Sequence, residues 1–362
     1  MLRSRLAKVL SVSANVWGRV DVQDLVVDID GSEARAVNYL DLSGPVSSGD
    51  EVVLNTTAVK LNLGTGGVHF VICNLTKQVS EIDLPPGHIM KLRYTPLQTA
   101  VLAEEEDDSP HQDAIRRFEN LDGMPVICCE LHSQIAPAAA AVKALSSYES
   151  RVVYVMTDGA ALLLAFSNLA AELAAKDIID ATITCGQAFG GDIETVNLYT
   201  GLIAARQVFG ADVAIVCQGP GNTGAGSKYG FSGIQQGEAL NAAGILGGKP
   251  IAVPRISFAD RRERHRGVSH HTLTVLAEIA LSPSVIAIPE LQGEKARKIE
   301  EQLAPILASS VHEAQVRSGE VGLVELAAKD VRVKTMGRTI EEDREFFLSP
   351  SAAGVLAAEC LR

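Results

Sequence analysis

Apolar and polar positions alternate with two different rhythms along this chain. From residue 7 to about residue 92, short alternating segments such as Leu25-Val26-Val27-Asp28-Ile29 and Glu51-Val52-Val53-Leu54 are divided by turn signals at Asp30-Gly31, Ser43-Gly44-Pro45 and Ser48-Gly49-Asp50. This predicts a small antiparallel β-domain over residues 1–95, closed into a barrel-like form. From about residue 115, short apolar runs alternate with long Ala- and Leu-rich segments. The runs at 125–130, 152–156, 181–184, 212–217, 251–253 and 285–288 read as strands, and those at 138–145, 161–175, 194–208, 233–243, 272–280 and 294–308 as helices. Continuous apolar strands separated by helices imply a mostly parallel sheet covered on both faces. The predicted fold class is therefore α/β: a doubly wound, Rossmann-like domain over 114–330, preceded by the barrel-like domain.

Between the two, residues 96–113 hold the run Glu104-Glu105-Glu106-Asp107-Asp108-Ser109-Pro110, which reads as a solvated acidic linker. Beyond Glu320, the piece Val331-Arg332-Val333 looks like one more strand. A terminal helix is expected from about Pro350, capped by Ser349, so that residues 331–362 pack on the core.

Composition narrows the class. The 362 residues are 47% hydrophobic and 21% charged, with a net charge of −12, which suits a globular enzyme or binding protein and argues against a broad nucleic-acid surface. Of the six cysteines, five lie in or beside apolar runs and none form Cys-x-x-Cys, as expected of buried free thiols in a reducing cytoplasm. Lys8 interrupts the N-terminal apolar stretch before signal-peptide length, and no run approaches the roughly 20 apolar residues of a membrane span. The expectation is a cytoplasmic protein without a membrane partner; a homodimer is left open.

Ligands of open parallel sheets bind outside the carboxyl ends of the strands. Four successive strand ends here carry unusual loops: Thr157-Asp158-Gly159, the segment from Cys185 to Glu194, the stretch GPGNTGAGSKYGFSG from Gly219, and the segment from Ser257 to His271. Gly219, Gly221 and Gly224 formally match the dinucleotide fingerprint, but Gly226, Gly230 and Gly233 delay any helix and Glu238 falls inside one. Gly226-Ser227-Lys228 also misses the closing order of a Walker A loop. What the loop retains is a run of amides, with Asn222, Thr223, Ser227 and Lys228 alongside and a helix N-terminus near Ser232, able to cradle an anion. The competing reading is that the glycines serve only a tight turn or close packing.

In the last loop Asp260, His265, His270 and His271 are candidates for proton transfer. Asp260, His270 and His271, joined by Asp158, Asp192 and Glu194, are candidate ligands of a divalent metal of the Zn, Mn or Fe type. Histidines that merely cap the following helix are the bland alternative. Arg255 and Arg261 are candidates for holding an anionic substrate, and Gln187 for hydrogen bonding to it, although a solvated basic face explains the arginines as well. Glu130, His132 and Ser133 end the first strand of the α/β domain but lack a third orienting group, and Ser133 reads as a cap. The segment from Gly64 to His69 is a second glycine-rich stretch, facing the site or forming a turn.

The segments ARAVNYLDLSGPVSSGDEVVLNTTAVKLNLGTGGVHFV from Ala34, TDGAALLLAF from Thr157, CGQAFGGDIETVN from Cys185, the Gly219 stretch and RISFADRRERHRGVSHHT from Arg255 resemble a bacterial family known only as domain of unknown function 3866. The resemblance implies one protein type over nearly the whole chain and carries no catalytic residue with it. The residues favour an enzyme that binds a small phosphorylated or nucleotide-like anion between the two domains, by hydrolysis or group transfer. A non-catalytic metabolite sensor and an NAD(P)-dependent oxidoreductase remain as alternatives.

Overall fold

The computed structural model describes residues 2–13, 21–63, 67–77, 87–309 and 311–362. Two compact units divide the chain, Met1–Val101 and Leu102–Arg362. The first holds a closed five-stranded barrel of β1 (Ser4–Ser13), β2 (Val22–Ile29), β3 (Ser32–Tyr39), β4 (Glu51–Asn55) and β5 (Val68–Asn74) in the order β1-β2-β3-β5-β4. β1 closes it by pairing with both β2 and β4. Alternation along these strands sends Ala7, Val9, Leu25, Val27, Val52 and Leu54 inward as one core. One expectation needs correction: β3 and β5 run parallel, so the barrel is not wholly antiparallel. Two single-turn helices, α1 (Leu40–Ser43) and α2 (Thr57–Lys60), follow β3 and β4, and a hairpin of β6 (Ile89–Lys91) and β7 (Thr99–Val101) completes the unit. Of the glycine-rich stretch, Gly64, Thr65 and Gly66 lie outside the described residues.

The second unit is built on an eight-stranded, all-parallel sheet. Its strands are β8 (Pro125–Cys128), β9 (Val152–Thr157), β10 (Ala181–Cys185), β11 (Ile193–Thr195), β12 (Val213–Gln218), β13 (Lys249–Ala252), β16 (Val285–Pro289) and β17 (Glu313–Arg317), in the order β11-β10-β9-β12-β8-β13-β16-β17. A two-stranded ribbon, β14 (Ile256–Ser257) and β15 (Gly267–Val268), lies within the loop after β13. Successive residues of β12 face opposite cores: Val213, Ile215 and Cys217 join one, Ala214 and Val216 the other. That two-sided burial is why the central strands read as unbroken apolar runs. Cys128, Cys129, Cys185 and Cys217 are buried here and form no disulfide.

A single-turn α3 (Gln112–Arg116) precedes the sheet. α4 (Ile135–Leu145), α5 (Asn168–Ala175), α10 (Glu320–Ala328) and α11 (Arg344–Glu359) supply one core, and α6 (Leu198–Gln207), α7 (Gln235–Ile245) and α9 (Gly293–Ser309) the other. α4, which follows β8, and α7, which follows β12, thus lie on opposite faces although their strands are neighbours, which opens a crevice at the carboxyl ends. α4 is buried from Ile135 to Lys143 because its alanines accept close neighbours. A Cβ at Gly354 of α11 would stand 2.2 Å from the Ala138 carbonyl oxygen.

Several segments differ from the sequence reading. Val331 and Val333 are buried against the core but pair with no strand, so the alternation there reports burial alone. α11 begins at Arg344 and carries Pro350 in its interior, while the Ser349 hydroxyl donates to the Pro254 carbonyl instead of capping. The helix expected over 272–280 is a short α8 (His270–Thr274) continued by a π-helical turn, Val275–Ile279. The acidic run is not solvated throughout. Glu104 and Glu106 are buried, Glu104 bonded to Ser109 and His111, and Glu106 accepting the Ala103 amide.

Candidate functional site

The crevice beside β8 is floored by Glu130, two residues beyond the strand and fully buried. Its backbone is fixed from two sides: the amides of Glu130 and Leu131 donate to Gln134 Oε1, and Gln218 Nε2, from the end of β12, donates to the Glu130 carbonyl. The side chain passes over Gly233, where a Cβ would stand 2.5 Å from Glu130 Cγ. Only glycine leaves that path open.

The Glu130 carboxylate gathers donors from two loops. His271 Nδ1 lies 2.9 Å from Oε1, Arg255 Nη1 and Asn222 Nδ2 each 3.5 Å from it, and Thr272 Oγ1 3.4 Å from Oε2. Burial alone would raise this carboxyl; the His271 hydrogen bond and the Arg255 guanidinium outweigh it and hold it below its ordinary value. Arg255, itself buried, stands between Glu130 and Asp260, with Nη2 3.5 Å from Asp260 Oδ2.

Above Glu130, His265, His270 and His271 converge so that one ligand atom from each lies within 4.8 Å of the others; among the described residues this is the group that could hold a metal ion. Two of the rings are held by different neighbours. His271 stacks on Phe231, centroids 3.9 Å apart and planes within 3°, and its Nδ1–H is committed to Glu130, which leaves Nε2 for a ligand. His265 is fixed through Nδ1 to Ser269 Oγ at 2.8 Å, while Arg264 Nε donates to its Nε2 at 3.4 Å, so that nitrogen carries the lone pair. His270 Nε2 is buried without a hydrogen-bond partner. Burial, then Arg255 and Arg262, push His265 down to about 3, and burial with His271 lowers His270 as well. Both are neutral near pH 7, the form that binds metal.

A family model described as a protein of unknown function, DUF3866, matches residues 35–354. The chain belongs to DUF3866. No curated protein and no solved structure matches it. Among the described residues of the DUF3866 chain, no helix is long and apolar enough to cross a membrane.

The structure distributes the other sequence candidates unevenly. Asp260 does not join the histidine group: Arg262 holds it in a fork of 3.0 and 2.8 Å, which lowers its carboxyl well below the usual range. Asp158 accepts the Gln187 amide at 2.8 Å and Gln235 Nε2 at 3.4 Å. Asp192 closes its turn on the Thr182 amide and hydroxyl, and Glu194 accepts from Thr184 Oγ1 and the Gly190 amide, both at 2.7 Å. Asp158 thus ties its loop to the next one and to α7, Asp192 and Glu194 bond within their own strand-loop unit, and all three stand outside the group of three.

The Gly219 loop folds on itself as a short hairpin, with Ala225 N donating to the Gly230 carbonyl and Ser232 N to the Thr223 carbonyl. Gly219 lies where a Cβ would meet the Ala161 carbonyl oxygen at 2.5 Å, and Gly221 and Gly226 hold φ of 106° and 78°. Asn222 accepts the Ser232 hydroxyl and the Gly233 amide, and Ser227 fills the space beside Gly230. Lys228 is paired with Glu278 of the π-helical turn. Gly224 meets His271, its Cβ position lying 3.8 Å from Nε2. Arg261 and Arg264 are exposed on the same loop as the histidines.

Glu130 was legible only as the end of an apolar strand, paired in sequence with His132 and Ser133. In the fold His132 turns elsewhere, its Nε2 2.6 Å from Ser167 Oγ and its Nδ1 3.2 Å from the Tyr154 hydroxyl.

Proposed function

We propose that the chain is a metal-dependent hydrolase of a small anionic compound, with His265, His270 and His271 as ligands of one divalent transition metal, zinc by preference. The observation that carries this is the convergence of three imidazoles, with the buried Glu130 carboxylate on the far nitrogen of His271. Three nitrogen ligands leave a fourth tetrahedral position for water, the pattern of catalytic rather than structural zinc. A carboxylate behind a ligating imidazole fixes its tautomer and raises its basicity. When bound, such a metal supplies a hydroxide near neutral pH. The Arg264 guanidinium, which now donates to His265 Nε2, would be released by the metal, and with Arg261 it would meet the anionic substrate. The hairpin at Gly219 walls the site through Gly224 and Phe231, and Asp260 serves it indirectly by holding Arg255 and Arg262.

The test is metal content and activity of the untagged full chain. About one zinc per chain is expected, with hydrolysis of p-nitrophenyl phosphate that ceases on chelation and returns with zinc. His270→Ala, at a partly exposed position, should lose both properties while keeping its circular dichroism spectrum. A folded wild-type chain that takes up no zinc, or a His270→Ala variant that binds it as tightly, would overturn the reading.

A further inference from the structure

The barrel carries a second site of a different chemistry. A cavity of about 520 Å³ opens between the start of β1, the end of β2, α2 and β5. Arg3, Arg5, Lys60 and His69 line it together with Thr56 and Ile29, and among the described residues no acidic side chain does. Among the described residues Arg3, Arg5 and Lys60 form no ion pair, although the chain has a net charge of −12. Unpaired cations around one concavity repel each other, a cost that an anion would relieve.

His69 supplies the independent observation. The side chain is buried, at 8% exposure, and its Nδ1 is a buried polar atom without a hydrogen-bond partner. An orphaned ring nitrogen at such a position costs free energy unless a ligand or water completes it. The wall beside it is rigid: Arg3 N donates to Thr57 Oγ1 at 2.9 Å and Thr56 N to the Arg3 carbonyl at 2.9 Å, which fastens α2 to β1.

We infer that this cavity binds a small molecule bearing a pyrophosphate group, of nucleoside diphosphate size. Its volume is in the range of small-molecule sites, roughly 300–1,000 Å³. Three separate cations match a diphosphate better than a single carboxylate, since each phosphoryl group offers several acceptors and arginine meets them two at a time. Leu2, Ile29 and Val59 give an apolar edge on which a base can lie. The site belongs to the first unit alone and does not depend on the metal reading.

The test is calorimetric titration of ADP into the full chain in the presence of a chelator, which keeps the histidine group metal-free. Wild type should bind ADP, and Arg5→Ala and Lys60→Ala, both at exposed positions, should each weaken it about tenfold or more. His69→Gln should weaken it as well, and His270→Ala should bind as wild type does. Absence of ADP binding by the wild-type chain, unchanged affinity in folded Arg5→Ala and Lys60→Ala, or a matching loss in His270→Ala would overturn the inference.

Discussion

Two glycines at the histidine site separate a steric requirement from simple proximity. A methyl at Gly233 would stand 2.5 Å from Glu130 Cγ, the middle of a buried side chain with no room to swing away. A methyl at Gly224 would meet Phe231 Cβ at 3.6 Å and the His271 ring at 3.7 Å, ordinary contact distances. Gly233→Ala should therefore push the carboxylate off His271 Nδ1 and cost about 10- to 100-fold in zinc affinity, the usual effect of losing an outer partner. Gly224→Ala should leave the affinity within a factor of about three of wild type. Competition titration against a zinc chelator reads both, and equal losses in the two variants would count against a role for Glu130.

At the scale of elements, His132 shows how one ring ties three of them. It follows β8, bonds the Tyr154 hydroxyl from β9, and meets the Ser167 hydroxyl that caps α5 by accepting the Ala170 amide. Burial pushes its pKa down to about 4, against an unfolded value near 6.5. Because the folded value is depressed, the unfolded chain takes up this proton first as the pH falls. Its contribution is complete above about pH 6.5 and is lost progressively toward pH 4, with a slope of up to about 1.4 kcal/mol per pH unit. His132→Gln should remove that share, so the gap in urea midpoint between wild type and variant should narrow steadily from pH 7 to pH 4.5. The elements themselves were unequally legible. β8, β9, β12 and β16 were plain because both faces are buried, whereas β11 has only three residues and β17 is an exposed edge strand reading Glu-Ala-Gln-Val-Arg. The start of α11 was misread because Pro350 mimics a first turn. The three histidines stood out as a cluster, but Glu130 did not: its place depends on Gly233 and His271, 103 and 141 positions further along the chain. The barrel cavity was invisible for the same reason, its cations being drawn from the start of β1 and from α2 and its buried histidine from β5.

For the whole molecule, the two proposed sites lie in different units, Met1–Val101 and Leu102–Arg362. A single melting temperature is a poor observable for such a chain, since the units need not unfold together. Hydrogen exchange followed peptide by peptide is better suited, because a ligand that binds only the native form suppresses the openings that expose its own site. At a free concentration 100 times Kd that suppression is about 2.7 kcal/mol, or roughly 100-fold slower exchange for amides released by those openings. Zinc should therefore slow exchange over residues 128–134, 222–234 and 255–275, where Glu130, Phe231 and the histidines are held. ADP under chelation should slow it over residues 2–6 and 55–60, the strand start and α2 that carry Arg3, Arg5 and Lys60. Protection by zinc that appeared only in barrel peptides would exclude the histidine group as its site, and ADP protection confined to 219–271 would exclude the cavity. A chain that responded at both places to their separate ligands would have two binding chemistries within one polypeptide, an imidazole-metal centre in the parallel sheet and a cationic pocket in the barrel.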